Sequence, residues 1–291
     1  MSFILIKGTF HVVGYSPDGD SIKFKADHPE NWKKIEGRPK LSKTKGHVQL
    51  RFEGIDALET HFRPQVKGGI EEHQPLEWAR AARDFMLAAV GIKNVKWGPL
   101  EKQVVQADDG VQGYILTRAV DNKEYGRPVS FVYAGTSPEK DGAEAYLTPK
   151  WLRQSVNYQL VAAGQAYPTY YQTLFSDLRD ELTRAVKRAR AAHPKRGLWI
   201  ADKTGEFEYT SKATVTDEYP IFPKLFRRLI EHVQSGGQLS NFRQFLKNKG
   251  DGVLILPHAH HTSALDYVVE VSGKRVSLTV LPENLVFDPQ L

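Results

Sequence analysis

Three short segments carry the side chains with the most chemical reach. They are Asp18-Gly19-Asp20-Ser21, then Arg51-Phe52-Glu53-Gly54-Ile55-Asp56-Ala57-Leu58-Glu59-Thr60, then Glu124-Tyr125-Gly126-Arg127-Pro128. Their carboxylates are hard oxygen donors and proton acceptors, and their guanidinium forks match the oxygens of a phosphate. Each segment also has a plain structural explanation. Asp and Gly suit a tight turn, a strand-end Asp is solvated or caps a neighbour, and an Arg in a strand is commonly an exposed ladder partner.

Short strands must position these segments. Residues 3–14 alternate loosely and read as a strand, 17–20 as a turn, and 21–25 as a second strand. A polar, basic insertion spans 26–46, and Val48-Gln49-Leu50-Arg51-Phe52 is strand-like. Gly, Pro and His crowd 61–75 into a surface loop. Residues 76–90 carry an apolar helical face through Ala79, Ala82, Phe85, Met86 and Ala89. Further strands fall between Val95 and Tyr133, with turns at 108–110 and 122–126. Helices follow at 150–163, ending at Gly164, and at 173–192. Strands first and helices packed on them afterwards argue for a small barrel with helices rather than a parallel α/β sheet.

The chain of 291 residues contains no cysteine, which excludes disulfides, thiolate metal sites and cysteine nucleophiles. No apolar run approaches the ~20 residues that cross a bilayer, and the start lacks the pattern of a signal peptide. The expectation is a soluble, cytoplasmic protein without a membrane partner. Residues 1–202 hold 30 Lys and Arg against 24 Asp and Glu, whereas 203–291 hold 10 of each. An anionic partner therefore meets the first region. Lys33, Lys34, Arg38, Lys40, Lys43 and Lys45 form its densest stretch, which reads either as a solvated hairpin tip or as a phosphate-steering arm.

Taken together and in order, the three segments resemble the staphylococcal nuclease family, whose pattern runs D-G-D-[TS], R-x-x-x-x-D-x-x-E and Y-G-R. The likeness continues through Val156-Asn157, Leu160-Val161, Gly164 and Ala166-Tyr167 to Leu198-Trp199, covering residues 8–200. It implies a five-stranded oligonucleotide/oligosaccharide-binding (OB-fold) barrel with three helices over 1–202, leaving 203–291 as an accessory α+β module. It implies a calcium-dependent endonuclease that cleaves DNA and RNA on the 5′ side of phosphates and leaves 3′-phosphate ends. Asp20, Asp56 and the Ala57 carbonyl would hold Ca²⁺, with Ala57 standing where the family has Thr. Glu59 would act as general base, and Arg51 and Arg127 would neutralise charge building on phosphorus. Tyr125 and Tyr167 would contact the nucleotide. Glu124 replaces a frequent Lys, a loss that Lys67 and the 33–45 stretch could offset.

Beyond Trp199 the texture changes. Residues 203–220 read as a linker, 221–233 and 239–246 as helices, and 253–256, 265–271 and 276–281 as strands, the last two joined at Ser272-Gly273-Lys274. His258, His260 and His261, with Asp266 nearby, suggest either a transition-metal site or a polar loop. Arg227, Arg228, Arg243, Lys247 and Lys249 suggest contact with nucleic acid or a partner, and the module is a candidate for self-association. Two competing readings remain: a non-catalytic nucleic-acid-binding barrel, and a protein whose activity resides in 203–291.

Overall fold

The computed structural model describes residues 2–122, 124–137 and 139–289; Lys123, in the turn read at 122–126, lies outside them. The first region contains β1 (Phe3–His11), β2 (Lys23–Ala26), β3 (Val48–Gln49), β4 (Arg51–Phe52) and β5 (Ile55–Ala57). Helix α1 (Leu76–Ala89) follows, then β6 (Lys96–Trp97), β7 (Val104–Gln106), β8 (Val111–Val120), β9 (Pro128–Ala134) and β10 (Glu144–Ala145). Next come α2 (Pro149–Leu152), α3 (Val156–Ala162), β11 (Ala166–Pro168), β12 (Tyr170–Tyr171) and α4 (Ser176–Ala191).

The main sheet runs β3-β2-β1-β8-β9-β4. Because β3 and β4 belong to one run, 48–52, that run pairs with β2 through its first half and with β9 through its second. The ring therefore closes on five strands, as the sequence implies for an OB-type barrel. Strand β1 loosely alternates buried and half-buried residues, whereas β8 and β9 bury runs of consecutive residues because both their faces are covered. Phe10, Phe24, Phe52 and Phe131 fill the interior.

Two of the expected helices differ in extent. Residues 150–163 form α2 and α3, separated where Ser155 caps α3 by accepting the Tyr158 N–H. Helix α4 begins only at Ser176, because Phe175 is extended. Asn157 on α3 is fully buried, and its amide serves three main-chain groups: it accepts from Val132 N–H and donates to the carbonyls of Glu53 and Ser130. Gly164 (φ +70°) ends this turn against Trp199, where a Cβ would meet the Arg196 carbonyl.

The C-terminal region contains β13 (Phe207–Glu208), α5 (Pro223–Gln234), α6 (Phe242–Lys249), β14 (Val253–Ile255), β15 (His260–Thr262), β16 (Val269–Ser272), β17 (Arg275–Leu278) and β18 (Leu285–Phe287). Three of these strands, β13, β15 and β18, fall where the sequence reads as linker, loop or nothing at all. The stretch 203–220 is not a free linker: β13 pairs with β17, and Lys203 N–H bonds the Pro220 carbonyl. Strand β18 lies between β14 and β12, running parallel to Tyr170–Tyr171. Glu283, 1% exposed, takes both Nη atoms of Arg190 at 2.6 and 2.8 Å. One continuous apolar core runs through both regions. No helix among the described residues is long and apolar enough to cross a membrane.

Candidate active site

The acid side of the site forms where the β1–β2 turn meets β5. Gly19 permits that approach, since a Cβ there would come 2.7 Å from the Ala57 methyl and 2.9 Å from Ala82 on α1. The Asp20 carbonyl accepts from Phe52 N–H at 3.0 Å, and its carboxylate accepts from Ala57 N–H at 3.4 Å. These bonds strap Asp20 between β4 and β5, beside Asp56 and Glu59. Burial, then the neighbouring Asp56 and Glu59 charges, push Asp20 up to about 7. Burial likewise pushes Glu59 up to about 7 against the opposing pull of Arg227, with Asp18 and Asp56 adding to the rise. Asp18 accepts from the Thr60 N–H and hydroxyl, and sits 3.5 Å from the His61 ring.

Arg227, on α5 of the C-terminal region, enters this cluster. Its Nη2 donates to Asp56 Oδ2 at 2.6 Å, and its Nη1 to Asp56 Oδ1 at 3.0 Å and Glu59 Oε1 at 2.5 Å. The acidic donors are all oxygen, which suits a hard cation such as Ca²⁺ in kind. Among the described residues, however, no three His, Asp or Glu side chains close into a ready metal site. Two of the relevant carboxylates face Arg227 instead.

The basic side lies across the β4–β9 seam. Arg51 donates to the Tyr171 hydroxyl at 3.1 Å and lies 5.0 Å from its ring centre. Burial opposes ionisation of Tyr171, but Arg51 and Lys224 outweigh it and bring the hydroxyl down to about 8. A cavity of about 380 Å³ opens here, lined in part by Arg51, Glu53, Arg118, Asp121, Thr169 and Tyr171. Arg127 binds Asp121 through its Nε at 2.6 Å and its N–H at 2.9 Å, with the Tyr125 ring 5.1 Å away. Its carboxylate partner is thus Asp121 and not one of the site acids. Asp20, Asp56 and Glu59 lie together, Arg51 is near enough to act on the charges of Asp20 and Asp56, and Arg127 is turned to Asp121.

The expected nucleotide-binding residues separate clearly. Tyr125 is 43% exposed and receives a hydrogen bond from Gln65 of the 61–75 loop, on which Lys67 is also exposed. Tyr167 is fully buried: its hydroxyl donates to Asp202 at 2.6 Å, and its ring packs on Trp199 and Phe222. It offers no surface to a nucleotide, because β11 turns it into the seam between the two regions. Tyr171, four residues on, faces Arg51 instead. The 33–45 stretch packs on the Tyr125-Gly126-Arg127 turn: Lys40 N–H bonds the Gly126 carbonyl at 3.0 Å, and Lys40 Nζ reaches the Glu124 carbonyl.

Of the cationic residues expected to contact nucleic acid or a partner, Arg227, Arg228 and Lys249 bind acids, whereas Arg243 and Lys247 are exposed. Arg228 binds Asp251 and Glu231, Lys249 binds Glu231, and Arg243 bonds the Asp266 carbonyl. In the histidine group, His261 pairs with Asp288 at 3.0 Å and His260 packs on Tyr267. Asp266 is not their partner. Arg227 is the residue that sequence reasoning misplaces, and its one signal is a Pro-initiated helix with Lys224, Arg227 and Arg228 in its first turns.

No curated protein matches the chain. The staphylococcal nuclease homologue family matches residues 49–201, more than half of the chain, a span that holds Arg51, Asp56, Glu59 and Arg127 but not Asp20. With the barrel closed around run 48–52 and its acids beside the β4–β5 turn, the chain belongs to the staphylococcal nuclease homologue family.

Proposed function

We propose that the protein is a metal-dependent phosphodiesterase, an endonuclease that hydrolyses DNA and RNA to leave 3′-phosphate ends. The observation that carries this reading is the gathering of Asp20, Asp56 and Glu59 at one end of a barrel of this family. Asp20, Asp56 and the Ala57 carbonyl would hold Ca²⁺, which when bound would draw charge from the phosphate and lower the pKa of water. Glu59 would take a proton from the attacking water as its oxygen bonds to phosphorus. The P–O5′ bond would then break, its electron pair leaving on O5′, which would take a proton from a solvent water to become a 5′-hydroxyl. Arg51 and Arg127 would donate to the phosphate oxygens as charge builds there, each exchanging its present partner, Tyr171 or Asp121, for substrate. The cavity beside Arg51 would receive the adjoining nucleoside, with Tyr125 and Lys67 at its approach. The 33–45 stretch, seated on the Tyr125–Arg127 turn, would extend the phosphate track and stand in for the missing lysine at Glu124.

One observation favours a second reading. Arg227 occupies both Asp56 and Glu59, as it would in a barrel that binds nucleic acid without cutting it. Supercoiled plasmid and a labelled RNA, incubated with Ca²⁺ and then with chelator, separate the two. Chelator-sensitive nicking lost in Glu59→Gln supports the enzyme; tight binding without any nicking supports the binding module.

A further inference from the structure

Helix α5 brings Lys224, Arg227 and Arg228 to one short stretch. Lys224 and Arg228 both bond Asp251 of the C-terminal region, at 3.0 and 2.6 Å, although Lys224 also lies 5.9 Å from the Tyr171 ring. Arg227 points the other way, across the seam, and takes both oxygens of Asp56 and one of Glu59. These are the oxygens that the proposed reaction needs for the ion and the attacking water. The contact is firmly built. Leu225, Phe226, Leu229 and Ile230 on α5 are fully buried, Phe62 packs on Phe226, and Gln74 donates to the Ile221 carbonyl at 2.7 Å. Withdrawing the helix would expose these apolar side chains to water. The helix therefore stays, and the Arg227 side chain is what must yield to an ion.

A guanidinium and a divalent cation cannot use the same carboxylate lone pairs. We propose that Arg227 is a positioning residue that sets the cation affinity of the site: it is the built-in counter-charge of Asp56 and Glu59, and a divalent ion binds by displacing it. The inference rests on the proposed nuclease reading and concerns the same site. It differs in sign from a merely structural ion pair. Loss of a structural pair would loosen the carboxylates and weaken ion binding, whereas loss of a competitor strengthens it.

The test is ion binding by the full chain without nucleic acid, with Ca²⁺ followed by calorimetry and Tb³⁺ by luminescence. Arg227→Gln should bind both ions at least tenfold more tightly than the wild type, and Ca²⁺ should raise its melting temperature by more. Equal or weaker binding overturns the proposal. Arg227→Lys, with one ammonium in place of a fork, should fall between the two. Should Arg227→Gln fail to fold, Arg227→Lys carries the test alone, and an affinity no higher than wild type overturns the proposal. Adding Asp56→Asn to Arg227→Gln should abolish the gain; a gain that persists shows that the ion binds elsewhere and also overturns it. Plasmid cleavage is read separately. An uncut plasmid with a tenfold gain in ion affinity defeats the nuclease reading alone, whereas a cut plasmid with unchanged affinity defeats this one alone.

Discussion

The two sides of the site are neutralised from different places. Arg127 finds its counter-charge six residues away, at Asp121, on the same turn that precedes β9. Asp56 finds its own 171 residues away, at Arg227 in another region of the chain. Arg51 lies between these extremes, held by the uncharged Tyr171. A local partner travels with the motif and is a property of the turn. A distant partner depends on how the two regions dock, so the acid side can change character while the motif itself stays intact.

The largest effects should come from the residues proposed to touch phosphate. Arg51→Ala or Arg127→Ala should each lower kcat for plasmid nicking by 10²–10³, the ~3–4 kcal/mol that a preorganised donor supplies. If only one of them does so, the symmetric role assigned to the two arginines is broken. Asp121→Asn keeps the shape but weakens the hold on Arg127. It should cost about tenfold in kcat, a loss of ~1.4 kcal/mol in transition-state stabilisation, and an unchanged kcat would show that Asp121 does not aim that side chain.

Tyr171→Phe removes the hydroxyl partner of Arg51 and should change kcat by only a few-fold, since a hydrogen bond to a charged group contributes ~1.5–3 kcal/mol and water can replace part of it. The sharper readout is pH. The folded Tyr171 hydroxyl lies near 8, below its ordinary value near 10, so between those values the unfolded chain holds the extra proton. Wild-type stability should therefore rise relative to Tyr171→Phe as pH goes from 8 to 10, and that gain should vanish as pH falls through 8. Parallel melting curves across this range would break the Arg51–Tyr171 pairing.

The smallest effect concerns the arm. Neutralising Lys33, Lys40, Lys43 and Lys45 should reduce the slope of log K against log salt by ~0.9 for each phosphate that the arm no longer neutralises. An unchanged slope would leave this stretch a solvated tip.

Much of the barrel is legible in the sequence because its signals are local. The turn at 17–20, the run 48–52 and the helical face of α1 each follow from a period or a turn residue within a dozen positions. Asp20, Asp56 and Glu59 stand out by the same means. Tyr167 is misplaced because a strand's alternation gives two faces but not which faces the ligand, and β11 and β12 are too short for the phase to show. Tyr170 and Tyr171 illustrate the point: one bonds Thr183 inside, and its neighbour meets Arg51. Arg227 escapes because a basic helix face looks alike whether it meets solvent, phosphate or buried acids. The stretch 203–220 looks like a linker because its polar turns are satisfied by main-chain bonds to Pro220 and Lys274 that no local pattern reveals.

The parallel pairing of Val286 with Tyr170 bears on the order of assembly. A polypeptide emerging from the ribosome presents Asp20, Arg51, Asp56 and Glu59 early, while the strand that flanks Tyr171 and the helix that carries Arg227 arrive much later. Until they do, Asp56 and Glu59 lack the guanidinium that pairs them in the finished chain. A half-made molecule thus differs from the mature one in electrical character at Asp56 and Glu59.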